Sequence, residues 1–134
     1  MKLAVIGAAV SGQGLALLAR QLGNEVFVSE QKTISPEVKE LFTQNNIDYE
    51  EGHTEKIFSS DEILISSGIP PQSKILQEAE RRGAKITGEL DFVLPHIRTN
   101  KLVCVTGSNG KSTVTSLIGH ILTRAGLKAG TGGN

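Results

Sequence analysis

The sequence has no excess of positive charge. Its 134 residues include 14 lysines and arginines against 14 aspartates and glutamates, so the formal net charge is zero. A protein that binds nucleic acid by neutralising phosphates normally carries a clear basic excess. The composition therefore argues against a nucleic-acid partner. It still allows a single anionic ligand that is held by backbone N–H groups and one or two lysines.

Cysteines and long apolar runs are also scarce. Cys104 is the one cysteine, which excludes an internal disulfide, and its apolar neighbours predict a buried strand residue. No apolar run approaches the roughly 20 residues that a membrane-spanning helix needs. Between Lys2 and Gly7 the apolar run is too short for a signal peptide. We therefore expect no membrane insertion and a cytoplasmic location.

What the sequence does contain is an alternation of short β-branched runs with longer amphipathic stretches. Hydrophobic residues make up 38% of the chain and charged residues 21%, which favours a packed core over disorder. The alternation predicts an α/β fold, a Rossmann-like parallel sheet with helices on both faces. The predicted strands are residues 3–6, 25–29, 47–50, 62–66 and 84–87, and the predicted helices are residues 12–22, 36–45 and 72–82.

Residues that are typical of helix ends support two of these helix boundaries. Ser35 and Pro36 are typical of a helix N-cap and first helical position. Gly83 is typical of the residue that follows a helix C-terminus.

The character of the chain changes at a polar link near residues 95–100. Residues 1–95 are predicted to form a first domain and residues 96–134 the start of a second one. The second part is predicted to contain a strand at residues 102–106, a loop at 107–111 and a helix over about 112–125. One βα unit buries too little apolar surface to be a domain by itself. We therefore expect the chain to be the truncated N-terminal part of a longer protein.

The turn after the first predicted strand reads GAAVSG at residues 7–12. The dinucleotide fingerprint is G-x-G-x-x-G, and Ala9 replaces its middle glycine, so a tight pyrophosphate crossing is disfavoured. The following helix N-terminus can still attract an anion. Glu30, at the end of the second strand, stands where an acidic residue binds a ribose hydroxyl in such folds. Alternatively, Gly7 and Gly12 only pack the helix on the sheet and Glu30 is solvated.

The turn after the strand predicted at 102–106 reads TGSNGKST at residues 106–113. Gly107 and Gly110 allow consecutive N–H groups to point inward and form an anion nest. Lys111 can reach terminal phosphates, and Ser112 offers the hydroxyl that Mg²⁺ needs. The strict P-loop glycine is replaced by Val105, so this loop is a shortened variant. The plainer alternative is a Gly/Ser turn with a surface lysine.

Three further features carry weaker signals. The segment SSGIP at residues 66–70 follows a predicted strand at the sheet edge where open α/β folds bind ligands. A plain loop is an equal alternative. The chain ends in the Gly-rich segment 130–134. His53, His96 and His120 lack the spacing of metal ligands, so we assign them no metal.

With these motifs in this order, the chain resembles the Mur ligase family, whose ATP loop reads T-G-[ST]-N-G-K-[ST]-T. The resemblance runs through the whole chain, over residues 7–12, 66–70, 88–92, 106–115 and 132–134. The segments before the ATP loop and the Gly-Gly-Asn ending favour the branch that adds D-glutamate to UDP-N-acetylmuramoyl-L-alanine. The alanine-adding branch, which also has a Rossmann-like first domain, is the nearest alternative.

The resemblance implies an ATP-dependent amide-bond ligase of peptidoglycan synthesis, with ATP and Mg²⁺ as cofactors. In the complete enzyme, ATP phosphorylates the carboxylate of UDP-N-acetylmuramoyl-L-alanine, and the amine of D-glutamate attacks the acyl phosphate. Such steps depend on positioned phosphates and metal charge rather than on a protein nucleophile. The adenine pocket, the D-glutamate site and further magnesium ligands would lie outside this chain. The chain alone is therefore expected to bind UDP-sugar, to be a monomer and not to catalyse.

Residue by residue, the resemblance implies two sites. Contacts with the UDP-sugar are implied for Val10, Ser11, Glu30, Gln31, Gly68 and Asn134. Contacts with ATP are implied for Gly107, Ser108, Asn109, Gly110, Lys111, Ser112 and Thr113, with Lys111 catalytic and Ser112 on Mg²⁺. The chain departs from the family at Ala9, where glycine is usual, and at Glu30-Gln31, where an acid followed by a hydroxyl is common.

Two other functions remain open from the sequence. A fragment of an NAD-dependent oxidoreductase is disfavoured by Ala9 and by the lack of a substrate domain. A non-catalytic nucleotide-sensing Rossmann module would bind its nucleotide at residues 7–12, and Lys111 would then have no functional role.

Overall fold

The computed structural model describes residues 1–99 and 101–133. The chain divides into two compact units, Met1–Ile97 and a second unit that begins at Arg98. No helix within the described residues is both long enough and apolar enough to cross a membrane.

The first unit is built on a five-stranded sheet in which every neighbouring pair of strands is parallel. Its strands are β1 (Lys2–Ile6), β2 (Glu25–Glu30), β3 (Asp48–Glu51), β4 (Glu62–Ile65) and β5 (Ile86–Gly88). The spatial order is β3-β2-β1-β4-β5, so β1 is the central strand. Leu3 pairs with Val26 on one side and with Glu62 on the other.

The predicted helices are present, with ends that differ by a few residues. The helices of the first unit are α1 (Val10–Gln21), α2 (Pro36–Gln44), α3 (Lys74–Arg81) and the short α4 (Glu89–Val93), with 3₁₀ turns at Glu55–Ser59 and Leu94–His96. As predicted, Ser35 occupies the N-cap of α2 and Pro36 its first turn. Gly83 follows α3 with a φ of 67°, the left-handed conformation that favours glycine.

Apolar side chains at alternating positions along the strands cover the two faces of the sheet. On one face, Val5, Val28 and Leu64 pack in one core cluster with Leu15 of α1 and Phe42 of α2. Strand residues point alternately to opposite faces, so their neighbours along the chain must be covered on the other side.

The second face carries its own buried cluster. Ala4 and Ile63 pack there with Leu76 of α3 and with Ile57 of the first 3₁₀ turn. Both faces are therefore covered by helical elements, and the predicted α/β fold with helices on both faces is confirmed.

The second unit contains the helix α5 (Lys111–Arg124). Gly119 is its buried residue, and a Cβ there would lie 2.3 Å from Cγ2 of Thr131, so the Gly-rich tail packs closely on the helix.

The prediction of a strand at residues 102–106 was wrong, because these residues form no strand and Cys104 is exposed rather than buried. A strand needs a neighbour to accept its hydrogen bonds, and the described part of this unit offers none. The same lack of a neighbouring strand leaves Leu102 and Val103 exposed.

Candidate functional site

The strand order places a cleft at the carboxyl edge of the sheet. The chain runs from β1 to β2 on one side and returns to β4 on the other side of β1. The loops after such diverging strands separate and leave a crevice, the usual ligand site of open α/β sheets. Here the crevice has a volume of about 560 Å³. It is lined by Gly7, Ala8, Ala9, Glu30, Gln31, Lys32, Thr33, Ile34, Ser35, Val38, Ser66, Gly68, Ile69 and Pro70.

A larger hollow, of about 790 Å³, lies at the amino ends of β1, β2 and β3. Its walls carry both signs of charge, including Lys2, Glu25 and Asp48, and none of the residues that the sequence indicated for a site. Ligands of open parallel sheets bind at the carboxyl ends of the strands. The smaller cleft is therefore the candidate site.

Glycine is required twice in the turn between β1 and α1. A Cβ on Gly12 would lie 1.9 Å from the carbonyl oxygen of Gly7, which no side chain can tolerate without a backbone shift. Gly7 has a φ of 100°, and a Cβ there would lie 2.7 Å from Oγ of Ser66. Ala9 needs no such freedom, because it adopts ordinary extended dihedral angles at the N-cap of α1.

The same turn is held in place by hydrogen bonds from β2 and α1. The N–H of Gly7 donates to the carbonyl oxygen of Ser29 at 2.9 Å, and the N–H of Ala8 donates to Oε2 of Glu30 at 2.8 Å. From the other side, Nε2 of Gln13 donates to the carbonyl oxygen of Ala8 at 2.8 Å. Ala9 has no side-chain oxygen that could occupy the first N–H groups of α1. These donors remain suited to an anion.

The structure brings together half of the predicted substrate residues. Glu30, Gln31 and Gly68 line the cleft. Val10 and Ser11 lie in the first turn of α1 beside it but are not among its lining residues, and Val10 is 86% exposed. The predicted contact from Asn134 falls outside the described residues.

The sequence did not identify two carboxylates that shape the cleft from behind. Glu51, at the end of β3, accepts the N–H of Ile34 at 2.8 Å and pairs with Nζ of Lys39 at 2.7 Å. The Lys39 ammonium and the Ile34 N–H lower the pKa of Glu51. Glu89 accepts the N–H of Ser67 at 3.0 Å in the loop after β4. Acidic residues at strand ends were the available signal, but their partners depend on how the loops fold back.

A buried polar network lies behind Glu30. Ser29 is fully buried, and its hydroxyl donates to Oε1 of Glu50 at 2.8 Å. Because that proton is used, Oγ of Ser29 accepts from Nδ1 of His53, also at 2.8 Å. Burial lowers the pKa of His53, and the Glu30 and Glu50 carboxylates oppose only part of that effect. For Glu50, burial alone would raise the pKa, but hydrogen bonds from Thr54 and Ser29 outweigh it and leave the pKa lowered.

The second candidate site is the loop that precedes α5. Gly110 is its N-cap residue and adopts a left-handed conformation with a φ of 76°. Nζ of Lys111 donates to the carbonyl oxygen of Gly107 at 2.7 Å, with Ser108 O at 3.5 Å. Ser112 and Thr113 are exposed in the first turn of the helix. The residues that the sequence assigned to phosphate binding thus lie on one loop and one helix start.

This loop suits a phosphate chain better than it suits a metal ion alone. Gly110 has no side chain to occupy the first N–H groups of α5, and the segment 98–134 contains five lysines and arginines and no acidic residue. Within residues 1–99 and 101–133, no group of three or more His, Cys, Asp or Glu side chains could hold a metal. A Mg²⁺ ion at Ser112 would therefore need phosphate oxygens or other ligands in addition.

Comparison with curated proteins gives one consistent assignment. A UDP-N-acetylmuramoylalanine–D-glutamate ligase of Bacteroides fragilis is 42% identical over 135 residues, covering 99% of this chain and 30% of the relative. The ligase of the same name from Thermotoga petrophila is 38% identical over 136 residues, covering 100% of this chain and 32% of the relative. The chain thus spans about a third of the length of these relatives.

Solved structures with the same fold include two ligases. A murein peptide ligase from Psychrobacter arcticus matches with a TM-score of 0.68 at 25% identity, over 94% of this chain and 27% of that one. A UDP-N-acetylmuramate-alanine ligase from Thermotoga maritima has a TM-score of 0.62 at 20% identity, over 93% of this chain and 30% of its own, and supports the fold alone.

A family profile gives the most direct assignment. The profile described as the MurD N-terminal domain matches residues 2–75, which contain β1 to β4 and all of the residues that line the cleft. The chain therefore belongs to the MurD N-terminal domain family.

Proposed function

We propose that this chain is the N-terminal part of an ATP-dependent ligase that adds D-glutamate to UDP-N-acetylmuramoyl-L-alanine, and that it holds the UDP portion of that substrate. The observation that carries the proposal is the cleft of about 560 Å³ at the carboxyl edge of the sheet, where Glu30, Gln31 and Gly68 meet. The names of the curated relatives, which match along the whole chain, support this choice of substrates.

In this proposal the diphosphate lies at the start of α1. Backbone N–H groups at a helix N-terminus attract anions, and Val10 and Ser11 provide them. Gln31, whose side chain is exposed, faces the uridine, and Gly68 lies beside the nucleotide. Asn134 contacts the sugar-peptide end of the substrate.

The loop before α5 holds the phosphates of ATP. Lys111 contacts the β- and γ-phosphates as a catalytic residue, Ser112 ligates Mg²⁺, and the N–H groups of Gly107 to Gly110 and of Thr113 surround the phosphate chain. Bound ATP supplies the phosphoryl group that activates the substrate carboxylate. The role of this chain is to orient that group and to stabilise its charge.

The chain alone should bind UDP-sugar but should not catalyse the ligase reaction. The segment 98–134 supplies no carboxylate for Mg²⁺, and phosphoryl transfer is slow without a complete metal site. We expect no D-glutamate adduct and no ATP hydrolysis from this chain, and detectable adduct would contradict that part of the proposal.

A titration with UDP, followed by amide NMR, tests the UDP site. We expect shifts at Val10, Ser11, Gln31 and Gly68 at millimolar UDP. NAD at the same concentration should produce weaker shifts, because Ala9 disfavours the close approach of a dinucleotide pyrophosphate to the turn at residues 7–12.

A pair of charge-matched variants makes the titration sharper. Val10→Asp adds a negative charge beside the diphosphate at an exposed position, so it should abolish UDP shifts without unfolding the chain. Gln77→Asp adds the same charge to an exposed position of α3 and should bind as wild type does. Equal binding by both variants would place the UDP site elsewhere.

A further inference from the structure

Both oxygens of the Glu30 carboxylate are already engaged by the protein backbone. Oε2 accepts the N–H of Ala8 at 2.8 Å, and Oε1 accepts the N–H of Lys32 at 3.0 Å. Among the lining residues that the structure describes, Glu30 is the one acidic side chain. Each carboxylate oxygen has a second lone pair, but the position of the Glu30 side chain is set by two loops of its own chain.

The two partners of Glu30 belong to different walls of the cleft. Ala8 is in the turn between β1 and α1, and Lys32 is in the loop between β2 and α2. Hydrogen bonds from N–H groups to an ionised carboxylate are roughly twice as strong as those between neutral groups. Glu30 therefore fixes the distance between the wall that faces the diphosphate and the wall that faces the base.

The surroundings prevent Glu30 and Ala8 from moving independently. The carbonyl oxygen of Glu30 accepts the N–H of Gly52 at 2.7 Å, and Ser29 beside it is held by Glu50 and His53. Ala8 is 8% exposed, and its carbonyl oxygen is held by Gln13. A change at Glu30 is therefore transmitted to the turn that leads into α1.

We propose that Glu30 is a positioning residue, which acts on the bound nucleotide through the Ala8 turn and the Lys32 loop rather than by binding the ribose hydroxyls. This inference rests on the proposed function, namely that the cleft accepts a nucleoside diphosphate. In this role the Glu30 carboxylate sets the spacing of the two walls. The affinity for a nucleotide should then depend on Glu30 even when the ligand lacks the 2′-hydroxyl.

The test compares Glu30→Gln with wild type in binding UDP and 2′-deoxy-UDP. Gln keeps the size of the side chain but loses the charge and one of the two acceptors. If Glu30 positions the walls, both nucleotides should lose the same factor in affinity, about tenfold for a weakened hydrogen bond to a charged group. If Glu30 binds the 2′-hydroxyl, UDP should be weakened and 2′-deoxy-UDP should not, which would overturn the proposal.

A spectroscopic measurement without ligand separates positioning from a general loss of stability. In Glu30→Gln, the amide protons of Ala8 and Lys32 should both move upfield, because one of them loses its acceptor and the other keeps only a neutral one, while the amides of β5 should stay in place. Glu40→Gln, which removes a carboxylate from the exposed face of α2, is the matched control and should change neither amide nor affinity. Unchanged Ala8 and Lys32 amides in Glu30→Gln would contradict the proposal.

Two further outcomes are informative. Glu30→Asp keeps the charge but is too short to reach both donors, so it should resemble Glu30→Gln in affinity and should shift at least one of the two amides. If wild type binds neither nucleotide at millimolar concentration, the proposed function fails, and the positioning role is then decided by the Ala8 and Lys32 amides alone.

Discussion

The ammonium group of Lys111 donates a hydrogen bond of 2.7 Å to the carbonyl oxygen of Gly107, four residues earlier in the same loop. This contact holds the lysine close to the backbone that would surround a phosphate chain. A phosphate that enters the loop would meet a charge that is already in place, so little side-chain ordering remains to be done on binding.

Lys111→Ala in the complete ligase should reduce kcat severely and leave UDP-sugar affinity nearly unchanged. Loss of one group that stabilises a transferring phosphate typically costs about 3 kcal/mol, a factor of roughly 10² to 10³. Lys111→Arg should restore little of the lost kcat, because a planar guanidinium does not replace a compact ammonium in a tight loop. The measurement is kcat beside the UDP-sugar dissociation constant.

Lys128→Ala is the control, since Lys128 is an exposed lysine that lies after α5. Misfolding should not complicate Lys111→Ala, because a cation in the first turn of a helix is unfavourable for the helix dipole. Turnover near that of wild type in Lys111→Ala would mean that the loop is only structural.

Gly12→Ala should destabilise the first unit by about 3 kcal/mol or more, at the upper end of overpacking effects. The added Cβ would lie 1.9 Å from the carbonyl oxygen of Gly7, so the turn before α1 would have to shift. Gly14→Ala, two residues along the same helix, meets no atom within 4 Å and should stabilise by roughly 0.5–1 kcal/mol. Urea denaturation of the two variants measures both effects, and equal midpoints would show that the turn can relax.

Stability should fall as the pH is lowered through the range just below 6.5, and His53 should be the cause. Burial lowers the pKa of His53 from its usual value of 6.5, so the folded state binds fewer protons than the unfolded state in that range. The free energy of unfolding therefore decreases as the pH falls towards the folded pKa. Thermal unfolding between about pH 7 and pH 5, the usual histidine range, should show this decrease.

His53→Asn should remove that decrease. The backbone of His53 has a φ of 47°, a left-handed conformation that asparagine tolerates well. Both proteins should then lose stability at lower pH, where Glu50 and Glu51, whose pKa values are lowered, become protonated. An unchanged pH profile in His53→Asn would assign the effect to another group.

Cys104 should react with a thiol reagent such as DTNB under native conditions. The thiol is exposed, because residues 102–106 form no strand that could bury it. Its rate should therefore be close to the rate in urea. Protection from the reagent without urea would show that residues 102–106 pair with a partner in solution.

The sequence predicted the first unit well because its signals are local. The apolar run at Leu3–Ile6 favours a buried strand, Pro36 fixes the φ of a first helical residue, and Gly83 accepts the left-handed conformation that ends a helix. The strand expected at residues 102–106 failed because a strand exists only when a second one pairs with it.

The candidate site was predictable in position but not in detail. The positions of strand ends led to Glu30 and to the segment 66–70, and the resemblance to the Mur ligases added Gln31 and Gly68. The short helix α4 and the carboxylate contacts of Glu51 and Glu89 were not foreseen, since no local pattern indicates which distant N–H group a side chain will reach.

The central position of β1 also affects how the chain folds during synthesis. β1 is synthesised before both of the strands that flank it, and its second neighbour, β4, ends only at Ile65. At about 5–20 residues per second, the apolar run Leu3–Ile6 therefore waits for roughly 3 to 12 seconds without its full set of partners. During this interval the nascent chain is open to aggregation, so a mutation that slows the pairing of β4 should lower the yield of soluble protein even when the finished fold is stable.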